Sequence, residues 1–307
     1  MSTTPQTLLI KARRQLADAL GLPPDETWSE AQLLLREALG VDRAWLIAHG
    51  DQALTDRQQD DFKKILQRRL RGEPVAYILG CREFYGLEFA VTPAVLIPRP
   101  DTETLVETAL GRLALLSMLP LSPTPAPSLR SPPKERGLRI LDLGTGSGAI
   151  AISIALHRPD TNVTAVDRSE AALAIARRNT EKLGAINLTL LQSDWFSALS
   201  GEMYDIIVSN PPYIAKGDPH LSQGDLRFEP PSALASGADG LDAIRHIIKH
   251  APHHLNTDGW LLLEHGYDQA EKVAQLMQTS GFAEIGHTTD LAGIQRVTFG
   301  KKLPGNR

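Results

Sequence analysis

The chain has 307 residues, a net charge of −4, 42% hydrophobic and 22% charged residues, and one cysteine. That length is near the point where one core splits into two, and the composition is that of an ordinary globular protein, against a strongly nucleic-acid-binding or membrane-adsorbed chain. The lone Cys81 excludes an internal disulfide framework, fits a reducing compartment, and reads as a small buried residue and not a nucleophile.

The N-terminal "MSTTPQTLLIKARRQ" lacks the apolar core of a signal peptide, and no run is long enough to span a bilayer, so a cytoplasmic chain without membrane attachment is expected. Residues 5 to about 72 read as helices. In "WSEAQLLLREALG", Ser29 is the candidate N-cap, Gly40 the stop, and Ala31, Leu34, Leu35 and Ala38 share a face. "TDRQQDDFKKILQRRLRG" runs from the candidate cap Thr55 to Gly72, with Phe62, Ile65, Leu66 and Leu70 as its stripe. Its basic end (Lys63, Lys64, Arg68, Arg69, Arg71) reads as a solvated helix terminus favoured by the macrodipole, with a docking surface for an acidic or RNA-like partner as the alternative. "EFYGLEFAV" predicts a β-hairpin around Gly86, and "IPRPDTE" a proline-stiffened loop after which Asp101 or Thr102 caps a helix to about Leu116. Residues 117–137, rich in proline and serine, predict an extended surface insertion.

From Leu138 strands and helices alternate. "LRILDLG", "NVTAVDRS", "NLTLLQSD", "YDIIVSN", "DGWLLLEHG" and two strands in the last 30 or so residues predict a doubly wound, mostly parallel, seven-stranded α/β sheet. The expected organisation is a helical N-terminal domain over 1–73, a β-hairpin and linker over 74–100, and the α/β domain over 101–307.

"ILDLGTGSGAI" puts Gly144, Gly146 and Gly148 between the first sheet strand and a helix, where glycines let the backbone approach a ligand. Asp167 ends the next strand at the spacing of a ribose-binding carboxylate. The motif predicts a nucleoside cofactor and by itself does not separate NAD from S-adenosylmethionine. Asp142, Asp167 and Asp194 at the sheet's carboxyl edge suit a sulfonium better than a pyrophosphate, and Trp195 and Phe196 offer aromatic cover for an adenine.

"IIVSNPPYIA" ends a buried strand in Asn210, Pro211, Pro212 and Tyr213. The prolines cannot extend the ladder, so the strand stops in a stiff tip. Such a tip suits a planar amino group as methyl acceptor. The Asn210 side-chain oxygen and the Pro211 carbonyl accept its two N–H bonds, Tyr213 packs on its face, and positioning supplies the rate. The pair His246/His250 lacks a supporting glutamate or cysteine for zinc, and no metal is expected. Asp225 and Arg227 in "QGDLRFEP" are expected to pin the following loop, and Glu264 and His265 to line the pocket's rim.

Taken with "REF", "LIPRPDTE", "DLGTGSG", "SDWF", "SNPPYI", "QGDLRFEP" and "LLLEHG", the chain resembles the class I S-adenosylmethionine-dependent methyltransferases over nearly its whole length. Within them it is similar to the bacterial release factor glutamine N5-methyltransferases, the HemK/PrmC family. N-P-P-Y alone marks amino-methyltransferases generally, DNA adenine enzymes included; "PRPDTE" with the N-terminal helices narrows the likeness. The resemblance implies that Gly144, Thr145, Gly146, Ser147 and Gly148 contact S-adenosylmethionine, with Asp167 at its ribose, Trp195 at its adenine and Asn210 also beside it. It implies that Asn210, Pro211, Pro212 and Tyr213 hold the glutamine amide, with Arg99 and Glu103 bordering the site. It further implies a monomeric enzyme acting on the Gly-Gly-Gln glutamine of class I peptide chain release factors, gripped by the N-terminal helices, with no nucleic acid required. The alternatives are a ribosomal-protein glutamine, an adenine N6 in nucleic acid, an NAD-dependent oxidoreductase, or an inactive release-factor-binding module.

Overall fold

The computed structural model describes residues 3–118 and 137–304, so most of the proline-rich stretch expected at 117–137 lies outside the described residues. The chain divides into two compact units, Met1–Arg82 with Ser222–Glu229, and Glu83–Leu221 with Pro230–Arg307.

The first unit contains helices α1 (Pro5–Leu20), α2 (Pro24–Leu39), α3 (Arg43–Ala48), α4 (Asp56–Leu70) and α5 (Val75–Leu79). Leu9, Leu16, Leu34, Leu35, Phe62, Leu66 and Ile78 form its core. Each fully buried leucine contributes about 1.5–3 kcal/mol relative to exposure. Thr55 caps α4 in a reciprocal box with Gln58, as its sequence predicts. Ser29 does not cap: α2 already starts at Pro24, whose fixed φ suits a first helical position. The basic end of α4 is not uniformly solvated either. Arg69 is 3% exposed. It donates to both carboxylate oxygens of Glu30 (2.8 and 2.9 Å), to Asp225 Oδ1 (2.8 Å) and to the Gly72 and Glu73 carbonyls. Asp225 and Arg227 thereby pin their own segment to the helices. The Arg227 guanidinium donates to the Arg71 carbonyl at 2.9 Å and lies so close over Gly72 (φ +91°) that a Cβ there would sit 1.8 Å from it. Only glycine suits that position.

The boundary between the units falls within β1 (Cys81–Phe84), which pairs with β2 (Leu87–Ala90) in the expected hairpin. Both turn residues, Tyr85 and Gly86, have positive φ, which matches the strands' right-handed twist. Cys81 is half-buried, less enclosed than its residue type suggests.

The second unit holds the seven-stranded sheet: β3 (Arg139–Leu143), β4 (Asn162–Asp167), β5 (Leu188–Gln192), β6 (Tyr204–Ser209), β7 (Leu255–Glu264), β8 (Phe282–Thr289) and β9 (Gln295–Lys302). The order is β5-β4-β3-β6-β7-β9-β8; β9 runs antiparallel to both neighbours and the other pairings are parallel. Alternate residues of each central strand feed opposite layers. Ile140, Ile206, Val208 and Leu262 pack with residues of α6 (Glu103–Met118) and α7 (Ala149–His157). Leu141, Ile207, Leu261 and Leu263 pack against α10 (Asp242–His250) and α11 (Ala270–Thr279). α8 (Glu170–Leu183) packs on β5 and β2, and the short α9 (Pro231–Leu234) follows the segment that belongs to the first unit. Among the described residues, no helix is long and apolar enough to cross a membrane.

Candidate active site

The sheet reverses its winding direction at β3, which is followed by β4 on one side and flanked by β6 on the other. Ligands of open α/β sheets bind at such a switch, beyond the strands' carboxyl ends. Leu143 pairs with Ser209 there, so Gly144 and Asn210 leave the sheet side by side. This register brings the two sequence motifs together.

The glycine loop turns tightly. Gly144 and Thr145 both donate to the Val166 carbonyl at 2.9 Å, and Gly144, Gly146 and Gly148 all have positive φ. Gly146, at φ +56°, has open space where a Cβ would stand, so its backbone is accessible to a ligand. α7 begins immediately after Gly148, directing its N-terminal amides at the loop. Thr145 and Ser147 are buried: Thr145 Oγ1 donates to Asp142 Oδ2 at 2.6 Å, and the Ser147 carbonyl accepts from Asn179 Nδ2 at 2.8 Å. The Thr145 side chain and the Ser147 carbonyl are thus committed to holding the loop's own shape. Asn179, from α8, also exchanges two hydrogen bonds with the Ala90 backbone, joining loop and hairpin end. Its sequence context, an ordinary helical "RRNTEKL", carries no sign of this.

Asp167 supports the same loop. Its Oδ2 accepts from Gly146 N (3.0 Å) and its Oδ1 from Ser169 N (2.8 Å), leaving further acceptor capacity on a half-buried carboxylate. Asp142 is fully buried, and its Oδ1 has no hydrogen-bond partner at bonding geometry among the described residues. Burial, reinforced by Asp167, pushes its carboxyl up to about 7 against the pull of Thr145 and the Ala151 amide. Trp195 adopts a left-handed backbone (φ +51°), held by the Ser193 hydroxyl donating to its carbonyl at 2.7 Å. Its ring lies beside Gly144 and 6.2 Å from that of His246. A buried carboxylate with an unpartnered oxygen, an open glycine backbone and an adjoining indole fit a cationic nucleoside better than a pyrophosphate. Asp194 is exposed, whereas Phe196 is buried and stacks on His254. His246 and His250 lie 4.3 Å apart as rings; among the described residues no group of three His, Cys, Asp or Glu is arranged to hold a metal.

At the tip of β6, Ser209 donates to the Leu143 carbonyl at 2.7 Å and Pro211 is buried. Asn210 is half-buried and its Nδ2 donates to Thr102 Oγ1 at 3.1 Å. The Tyr213 carbonyl accepts from Gln269 Nε2 at 3.0 Å, and the backbone of Gly240 packs against it. Tyr213 as a residue is half-buried, but its hydroxyl end is enclosed: burial and then Glu264 push its pKa far up, keeping it neutral.

The "PRPDTE" loop reaches three elements. Asp101 pairs with Arg296 (2.9 Å), Thr102 donates to Glu264 Oε1 (3.2 Å), and Glu103 Oε1 accepts from Tyr85 N (2.9 Å). Neither Asp101 nor Thr102 is a simple helix cap, because a 3₁₀ turn at Pro100–Thr102 runs straight into α6 and Thr102 faces inward. Glu103 is anchored to the hairpin turn, and Arg99 is half-buried near enough to Tyr213 to favour its ionised form. Glu264 is 1% exposed, not a rim residue, and burial pushes it up to about 7, with Asp101 adding to the rise and Thr102, Arg296 and Asn210 opposing it. His265 is likewise buried, bonding the Thr298 hydroxyl at 2.7 Å.

Known proteins match this architecture. A model of the PrmC N-terminal domain matches residues 7–80, and one of the methyltransferase small domain matches residues 128–224. The chain is 46% identical over 299 residues to the release factor glutamine methyltransferase of Salmonella typhimurium, covering 97% of this chain and 99% of that protein. It is 45% identical over 272 residues to that of Escherichia coli, covering 89% and 91%. Among solved structures, the hMettl16 catalytic domain in complex with an RNA hairpin superposes with a TM-score of 0.55 at 15% identity, over 76% of this chain and 83% of that one, a likeness of fold alone. With 45–46% of positions identical over most of its length, and a PrmC N-terminal domain over residues 7–80, this chain belongs to the release factor glutamine methyltransferases.

Proposed function

We propose that the chain transfers a methyl group from S-adenosylmethionine to the side-chain amide nitrogen of the glutamine in the Gly-Gly-Gln motif of class I peptide chain release factors. The observation that carries this reading is the Leu143–Ser209 register, which sets the glycine loop and the Asn210–Tyr213 tip beside each other. When bound, S-adenosylmethionine supplies an electrophilic methyl group on a sulfonium. The backbone of Gly144–Gly148, the Asp167 carboxylate and the Trp195 ring would hold it, with the buried Asp142 carboxylate beneath the loop adding negative charge.

The acceptor is an amide, whose nitrogen lone pair is delocalised. The Asn210 Oδ1 and the Pro211 carbonyl accept its two N–H bonds and fix its plane, while Tyr213 packs on the amide face. These acceptors sit in a rigid tip, so little reorganisation accompanies the gain of positive charge at nitrogen. The buried Tyr213 hydroxyl stays protonated and is no base. Positioning carries the rate, and the nitrogen's extra proton leaves after transfer.

In this reading residues 1–73 recognise the release factor, 74–100 form hairpin and linker, and 101–307 carry the chemistry. The enzyme works as a monomer in the cytoplasm, on a protein and without nucleic acid. Incubating a purified class I release factor with enzyme and S-adenosylmethionine, then mapping the product by tandem mass spectrometry, tests the assignment. One methyl group on the Gly-Gly-Gln glutamine is expected; methylation at any other residue overturns it.

A further inference from the structure

Behind the Asn210 amide, three polar side chains distant in sequence form a chain. Asn210 Nδ2 donates to Thr102 Oγ1 at 3.1 Å, and the Thr102 hydroxyl donates to Glu264 Oε1 at 3.2 Å. Thr102 is 4% exposed and Glu264 1%, so this chain of bonds is shielded from bulk solvent. Glu264 Oε2 has no partner at hydrogen-bonding geometry among the described residues, although the Asn210 amide lies near enough to favour the ionised carboxyl, so this acid is kept buried with only one oxygen fully satisfied. A buried, incompletely satisfied acid is destabilising, which calls for a reason.

The reason lies in the hydroxyl's single proton. A threonine hydroxyl has one hydrogen and two lone pairs. With that hydrogen committed to Glu264 Oε1, Thr102 faces Asn210 only as an acceptor. The amide must then turn its NH₂ towards Thr102 and its Oδ1 away. An asparagine with no such partner has two amide orientations that differ by a half-turn, and the wrong one presents a donor to another donor. We propose that Thr102 and Glu264 are positioning residues for methyl transfer: Glu264 polarises Thr102, and Thr102 locks the Asn210 side chain with its oxygen facing the substrate amide. Neither touches substrate or cofactor. The inference rests on the reading of Asn210 as an amide acceptor.

The test compares Thr102→Val, Thr102→Ser, Glu264→Leu, Glu264→Gln and Asn210→Ala. For each variant, kcat and KM for the release factor, cofactor affinity by calorimetry and the thermal midpoint are measured. Thr102→Val keeps the shape and removes the hydroxyl, so kcat falls roughly tenfold, the effect of one lost orienting hydrogen bond, while KM and cofactor affinity stay. Thr102→Ser restores kcat. Glu264→Leu behaves like Thr102→Val, and Glu264→Gln, which keeps an acceptor oxygen for the hydroxyl, restores kcat; this pair decides the matter if Thr102→Val does not fold. Wild-type kcat in Thr102→Val or Glu264→Leu, equal losses in the conservative variants, or a loss in KM alone overturns the proposal. Asn210→Ala separates the two levels. A collapse there with no effect of Thr102→Val leaves the acceptor reading intact and removes the positioning role, whereas a wild-type rate in Asn210→Ala removes both.

Discussion

Replacing Arg69 with methionine is expected to destabilise the helical unit strongly. The guanidinium is 4% exposed and forms a two-pronged pair with a Glu30 side chain that is 11% exposed, plus a bond to Asp225. Methionine retains most of the aliphatic stem and removes every donor, leaving the Glu30 carboxyl buried alone. Breaking a buried pair in this way costs about 3–5 kcal/mol. The cost depends on pH with a definite sign. Burial already raises the Glu30 pKa despite Arg69, and without Arg69 it rises further. Below the unfolded-state value Glu30 is neutral in both states and the penalty is small; it grows as pH rises towards the folded-state value. Urea unfolding of the full chain, followed by circular dichroism at pH 5 and pH 8, measures both effects. Glu30→Leu combined with Arg69→Met recovers much of the loss, because an apolar pair needs no charge compensation. A loss under about 1 kcal/mol at pH 8, or one larger at pH 5 than at pH 8, refutes the reasoning.

Three further predictions concern the buried acids and the cofactor side. Asp142 and Glu264 are both pushed by burial up to about 7. Between their unfolded values and about 7 the folded chain holds protons that the unfolded chain has released, so stability, full below pH 4, falls as pH rises through that window. A bound cation reverses the preference at Asp142, so S-adenosylmethionine binds more tightly at pH 8 than at pH 6 by calorimetry, and Asp142→Asn flattens the difference; an unchanged slope in the variant contradicts this. Ser193→Ala frees the Trp195 carbonyl and the Ala198 amide, both bonded by the Ser193 hydroxyl. The left-handed Trp195 conformation is costly by about 1–2 kcal/mol, so cofactor affinity drops roughly tenfold while the thermal midpoint changes little; unaltered affinity counts against a role for Trp195.

Much of this was legible in the sequence because local patterns carried it. The strand–glycine–helix run, the apolar strands and the hairpin around Gly86 each announce an element within a dozen residues. The N-P-P-Y tip stands out by residue type alone, and parallel-sheet topology brings it beside the glycine loop. What stayed hidden depends on contacts far apart in the chain. Thr102 sits where a helix cap belongs, and only the fold shows its hydroxyl between Asn210 and Glu264, 108 and 162 residues away. Arg69 looks like one of several basic residues favourable at a helix end; its burial follows from Glu30 and Asp225, on separate elements. Asn179 and Gln269 hold carbonyls of the loop and the tip, and no short motif marks a side chain whose partner is a distant backbone.

The central claim is that the Asn210 tip holds the methyl acceptor. Single-turnover transfer from radiolabelled S-adenosylmethionine to a class I release factor, with wild-type enzyme and Asn210→Ala at saturating cofactor, tests it most directly. Cofactor and release factor binding are expected to survive, and the transfer rate to fall by roughly two to three orders of magnitude, as when a preorganised polar group is removed from a site of developing charge. Transfer by Asn210→Ala at the wild-type rate would contradict the account.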